Sequence, residues 1–307
     1  VLAGTVIDST GNSDVAAAAG AECAFTDGDS PAVQGAGLPK NPLGSSYVNT
    51  DYTFIDDTDN VDRWRAFLGA HKRYGSAYDV VQITDTRERR RIKGDYELTP
   101  LDQLNRRTFP DTIVRAKSNF DTHGFTIHPV YFLKPPHKRD IYADIPYRCL
   151  LPRNLEDILV TGLGTSAHRD AIPLIRMQPD MQNQGYAAGL AAAMAARDNC
   201  SVRDIDITEL QKKLVKKGNL PRDVLTEEDS YPVTVDRIRE AVQGTPENHP
   251  DMAAILERPD ASLPMLRGAY KNADDEETRL GYANILGMMG DGTGLETLLD
   301  RVRGAEW

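Results

Sequence analysis

The chain has 307 residues, 40% of them hydrophobic and 27% charged, the balance of an ordinary globular protein of about two domains. Its formal charge of -10 disfavours nucleic acid and anionic membranes as partners, since either calls for a basic face. Cys23, Cys149 and Cys200 are too few and too scattered for a disulfide framework or a zinc cluster, so no metal site and a cytoplasmic setting are expected, and no apolar run reaches the ~20 residues of a membrane span.

Taken in order, Thr5 to Ile7 predict a strand, Ser9 to Ser13 a turn, and Asp14 onward a short Ala-rich helix closed by Gly20. From about Gly35 to Arg148 aromatic and charged residues are mixed. Here Tyr47–Ile55, Tyr78–Thr84 and Ile113–Ala116 predict strands, Asn60–Tyr74 an amphipathic helix with Val61, Trp64, Phe67 and Leu68 on one face, and Leu101–Arg106 a short helix. The basic run Arg87–Lys93 reads either as a bidentate clamp for an anion or as a solvated, internally paired charge run. His123 and His128 flank the turn after Asp121 and have the pKa range of a general base, though a single histidine is more often structural.

The second half opens on Ile158–Val160, an apolar run bounded by Asp157 and Gly162 that predicts a buried strand. A Gly-rich turn follows, then an extended piece holding Pro173 and Pro179, then an Ala-rich helix in which Gly185 and Gly189 make a smooth face for close packing. Gly162-Leu-Gly164-Thr-Ser-Ala167 is rejected as a dinucleotide fingerprint, because Pro173 interrupts the helix that should follow at once and no clear second strand ending in Asp or Glu appears about 20 residues on. Asp206 or Thr208 caps the next helix, Pro246–Pro250 marks a boundary rich in breakers, and Leu263–Val302 is helical with apolar faces that need a partner.

Leu159-Val-Thr-Gly162, Ile175-Arg-Met-Gln-Pro179 and Gln184-Gly-Tyr-Ala-Ala-Gly-Leu-Ala-Ala192 occur in order, and together they resemble the C-terminal flavin-binding segment of the FAD-dependent oxidoreductases. Ile7-Asp-Ser-Thr-Gly-Asn-Ser-Asp-Val-Ala16 is similar to a turn deep in the FAD domain of the same family, and Arg87-Glu-Arg-Arg-Arg-Ile-Lys-Gly94 to a third family element. The resemblance implies FAD as cofactor, with Asp8, Thr10, Gly11, Asp14, Gly162, Arg176, Pro179, Gln184, Gly185, Ala187 and Ala188 around it. A helix N-terminus would stabilise charge on the reduced flavin. It also implies a small-molecule substrate, with His123, His168 and Arg87 as the catalytic candidates. The family's N-terminal Gly-x-Gly-x-x-Gly unit is not in the sequence, and Gly35-Ala-Gly37 is no substitute because Pro39 and Lys40 stand where close helix packing is required. A missing N-terminal half or a companion chain would complete the FAD site, and both readings stand. The string Arg279…Ala283…Leu286-Gly…Gly290-Asp is similar to a HEAT-like repeat.

The expected fold class is therefore α/β: a partial Rossmann-type FAD domain (1–34 and 149–215), an inserted α+β substrate domain (35–148), linker and helices (216–250) and a HEAT-like segment (251–307). The expected function is hydride transfer from a small organic substrate to flavin. The rival from another class is a HEAT-type scaffold protein with a degenerate flavin fold. A hydrolase is disfavoured by the want of a Gly-x-Ser-x-Gly elbow.

Overall fold

The computed structural model describes residues 3–26, 40, 43–44, 56, 58–77, 89–122, 126–136, 139–244 and 248–305. The strands expected at Tyr47–Ile55 and Tyr78–Thr84 lie outside the described residues. The described elements, in order, are β1 (Val6–Asp8), α1 (Asp14–Ala18), β2 (Cys23–Phe25), α2 (Asn60–Tyr74), β3 (Arg90–Ile92), α3 (Pro100–Leu104), β4 (Thr112–Ser118), α4 (Pro129–Leu133) and β5 (Ile141–Pro146). Then come β6 (Ile158–Val160), α5 (Ile172–Ile175), α6 (Gln178–Asp198), α7 (Ile207–Lys217), α8 (Val235–Gln243), α9 (His249–Glu257), α10 (Pro259–Lys271), α11 (Glu276–Met288) and α12 (Leu295–Arg303). They fall into two units, Val1–Thr99 with Thr108–Ile127 and His137–Glu228, and Pro100–Arg107 with His128–Pro136 and Asp229–Trp307.

The first unit mixes helix and sheet. β1 and β6 pair in parallel, with Val6 opposite Ile158 and Asp8 opposite Val160. β2 pairs antiparallel with β3, and β4 with β5. The long helix α6 packs against β4 and β1 and buries Ala187, Ala188, Ala191, Met194 and Ala195. Small side chains let the helix axis approach the strands, so the alanines form its packed stripe. Gly185 and Gly189, expected to be that stripe, have no neighbour within 4 Å of where a Cβ would stand. The expectation that Pro173 and Pro179 lie in an extended piece also fails. Each sits in the first turn of a helix, α5 and α6, where the missing N–H would have had no partner in any case.

Helix α2 has the expected bounds, but Val61, Trp64 and Leu68 are exposed rather than packed on described residues. Among the described residues no helix is long and apolar enough to cross a membrane.

The second unit is helical. Ile238, Val242, Ile255, Leu266, Tyr282 and Leu286 meet in one core, each worth roughly 1.5–3 kcal/mol when fully buried. Helices α8, α9 and α11 begin on side-chain caps: Thr234, Asn248 and Asp275 accept from the backbone amides of Arg237, Asp251 and Thr278. Of the Pro246–Pro250 breakers, Pro250 sits in the first turn of α9, and Pro246 lies outside the described residues. His128 caps α4, its Nδ1 accepting from the Val130 amide.

Candidate functional site

The parallel register of β1 and β6 sets the turns that follow the two strands side by side. Asp8, almost fully buried, organises the first. Its Oδ1 accepts from the Thr10 amide at 2.9 Å and the Thr10 hydroxyl at 2.6 Å, and its Oδ2 accepts from the Ala16 amide at 2.8 Å. The Thr10 hydroxyl in turn accepts from the Asp14 amide at 2.6 Å. Asp8 and Thr10 therefore shape the turn and anchor α1, and their side chains are spent on it. Ser13, in the left-handed region at φ 51°, donates to the Gly164 carbonyl at 3.1 Å, and the Ser9 and Thr161 hydroxyls meet at 2.9 Å.

A Cβ at Gly164 would overlap the Ser13 hydroxyl, so only glycine lets the turns close. Beside Gly11 there is open space, and the amides of Gly11 and Asn12 donate to no described residue.

The second turn is a single 3-10 turn, Gly162–Gly164, with Gly162 at φ 74°. The Gly162 amide donates to Gln184 Oε1 and Gln184 Nε2 donates to the Ile175 carbonyl, both at 3.2 Å. Gln184 is thus a fully buried pin that ties the turn and the end of α5 to α6. Met177, at the N-cap of α6, gives its first-turn amides no side-chain acceptor, which leaves donors directed outward. Asp180 lies in that first turn and is buried. Its Oδ2 has no partner among the described residues. Burial pushes its carboxyl up to about 6, against the pull of a hydrogen bond from the Lys117 backbone. Close by in sequence, Arg176 donates to the Asp121 carbonyl at 2.8 Å and pairs with its carboxylate at 2.9 Å.

His168 is held by its backbone: its amide donates to the Leu98 carbonyl, and its Nδ1 accepts from the Asp170 amide at 3.1 Å. Burial lowers its pKa below the usual histidine value, with Asp170 and Glu97 opposing. The ring is then neutral at pH 7 with its proton on Nε2. The buried Asp170 carboxylate accepts from the Ile127 amide at 2.7 Å and from Arg169 Nε at 3.1 Å.

Of the residues expected at the site, Asp8, Thr10, Gly11 and Asp14 lie in one turn and Gly162 in its neighbour, with Gln184 bonded to Gly162. Pro179 stands at the start of α6 with Arg176 just before it, whereas Gly185, Ala187 and Ala188 are about two turns into the helix, with both alanines packed in the core. His123 and Arg87 lie outside the described residues. Sequence reasoning missed Ser13, Asp121, Asp170 and Asp180. For Ser13 a signal existed in Gly164, a glycine with no other evident reason. The open turn at the carboxyl ends of two parallel strands, its free amides, and the uncapped start of α6 fit the phosphates and polar edge of a dinucleotide such as FAD.

Comparison with protein families decides the class. Residues 71–214 match the family described as FAD dependent oxidoreductase. This stretch, just under half of the chain, is similar to the FAD-dependent oxidoreductases. The cofactor that the match implies is FAD, and the matched stretch includes the Gly162 turn, His168 and all of α6. The Thr10 turn precedes the matched residues and is tied to them through Gly164 and Thr161. No curated protein and no solved structure matches the chain.

Proposed function

We propose that this oxidoreductase removes a hydride and a proton from a small organic substrate, with the two neighbouring turns and the start of α6 holding FAD. The observation that carries the reading is the paired turn at the ends of β1 and β6, closed by the Ser13–Gly164 contact, in a chain whose residues 71–214 match this family. When bound, FAD supplies the two-electron acceptor. The protein's part is to position, to exclude water and to manage charge and protons. The Gly11 and Asn12 amides and the first-turn amides of α6 would hold the cofactor's anionic and electron-rich edges.

His168, neutral and with Nδ1 engaged by the Asp170 amide, is suited to donate a hydrogen bond from Nε2 to the substrate and poorly suited to take a proton. The base that accepts the substrate's proton would then be His123. The scaffold reading loses ground to this one because the matched family is enzymatic.

The test uses the full natural chain purified with FAD. Visible flavin bands and their anaerobic bleaching by a panel of alcohols, amines and saturated carbonyl compounds are expected. His168→Asn, which keeps an acceptor for the Asp170 amide, should bleach about 10²-fold more slowly with FAD retained. A colourless protein that gains no bands with FAD would defeat the oxidoreductase reading. Unchanged bleaching by the His168 variant would remove His168 from the chemistry.

A further inference from the structure

A cavity of about 260 Å³ lies within the helical unit, its wall including Asp102, Asn105, Arg107, Tyr231, Arg237 and Glu257. None of these residues belongs to the turns assigned to FAD. The volume exceeds the roughly 150 Å³ that accommodates a benzene ring, so it suits a molecule of about six to ten heavy atoms.

The charges around the cavity decide the kind of molecule. Arg107 pairs with Asp102 at 3.1 Å and with Asp229 at 2.9 Å, and its guanidinium stacks 4.4 Å from the Tyr231 ring centre. Arg237 pairs with Asp251. Arg258, next to Glu257 in the chain, donates to the Val233 carbonyl and pairs with Asp260. Glu257 has a different situation: its carboxylate accepts a long 3.5 Å hydrogen bond from Asn105 Nδ2, and no ion pair holds it among the described residues.

Four carboxylates, those of Asp102, Asp229, Asp251 and Glu257, thus stand against the two guanidinium groups in the wall. An anion entering here would meet Glu257 and Asp102 with both cations already engaged. A neutral polyol would leave the Glu257 charge without a counterion. A cation would supply the missing partner. The Glu257 carboxyl itself registers the imbalance, pushed up to about 7 by burial and then by Asp102.

We propose that this cavity binds a small molecule carrying a protonated amine, its ammonium group paired with the Glu257 carboxylate beside Asp102. The proposal does not depend on the FAD assignment, and its test reads binding rather than turnover.

Calorimetric titration of the full FAD-loaded protein with butylammonium, butyrate and butanol separates the three ligand classes. Butylammonium should bind at pH 8, and its affinity should fall about tenfold at pH 6 as Glu257 takes up a proton. Glu257→Gln should abolish that binding while melting no lower than the parent protein at pH 8, because the variant removes a buried charge. Butyrate or butanol binding as tightly as butylammonium would overturn the proposal. So would butylammonium affinity that is flat between pH 6 and pH 8, or that is unchanged in Glu257→Gln. The pH profile of the unmutated protein stands as a test even if the variant fails to fold.

Discussion

The paired turns of the mixed unit and the core of the helical unit are held by opposite means. Around Asp8, Ser13 and Gln184 the structure relies on buried polar side chains, each answered by a backbone group. Around Leu286 it relies on apolar faces, with a buried hydrogen bond from the Tyr282 hydroxyl to the Val242 carbonyl among them. Buried polar networks fix a single geometry, since any displacement leaves a group unsatisfied. An apolar core tolerates small displacements at gradual cost. The rigid device thus lies where we propose that FAD is positioned, and the adaptable one in the apolar core of the helical unit.

Substitutions can break or sharpen that contrast. Leu286→Ala, in the fully buried helical core, should cost about 3 kcal/mol by removing apolar contacts and leaving a void, read from chemical denaturation. Gly164→Ala should cost about 2 kcal/mol, because its methyl group would overlap the Ser13 hydroxyl. Adding Ser13→Gly should recover much of that loss, since glycine also suits the left-handed backbone at this position. Full additivity of the two changes would show that the turns do not touch as described.

Asp180 gives a smaller effect with a pH signature. Its folded carboxyl binds a proton more tightly than the unfolded one, so the folded state is favoured at low pH. That contribution is lost as pH rises from about 3.8 through about 6. Asp180→Asn should therefore flatten the stability profile between pH 4 and pH 6. At pH 7 it should raise stability by about 1–2 kcal/mol, after allowance for residual solvent access. A variant less stable than the parent at pH 7 would mean that the charge is answered by a partner. Smallest is Asp206→Ala, which removes the acceptor for the Glu209 amide at the start of α7 and should cost about 1 kcal/mol.

What was legible in the sequence was local. The bounds of the Asn60–Tyr74 helix, the Ile158–Val160 strand and a helix cap at Asp206, one of two candidates with Thr208, each depend on a few consecutive residues, and all three appear in the structure. The start of α6 was read too late because Pro179 counts as a breaker inside a helix but not in its first turn. The helix expected beyond Pro179 in fact begins at Gln178. The Ser13–Gly164 contact joins residues 151 positions apart, and no local pattern announces it. Asp180 has the look of an ordinary acidic residue favoured by the helix dipole. Only the packing of α6 against β4 shows that its carboxyl is buried.

The most direct test of the central claim is the FAD content of Gly11→Val. A Cβ at Gly11 meets no atom of the described residues within 4 Å, so the variant should fold and melt like the parent protein without cofactor. The account predicts that it loses the visible flavin bands, or binds added FAD at least tenfold more weakly, because the valine occupies the approach to the free amides of the turn. A variant that carries as much FAD as the parent would contradict the account.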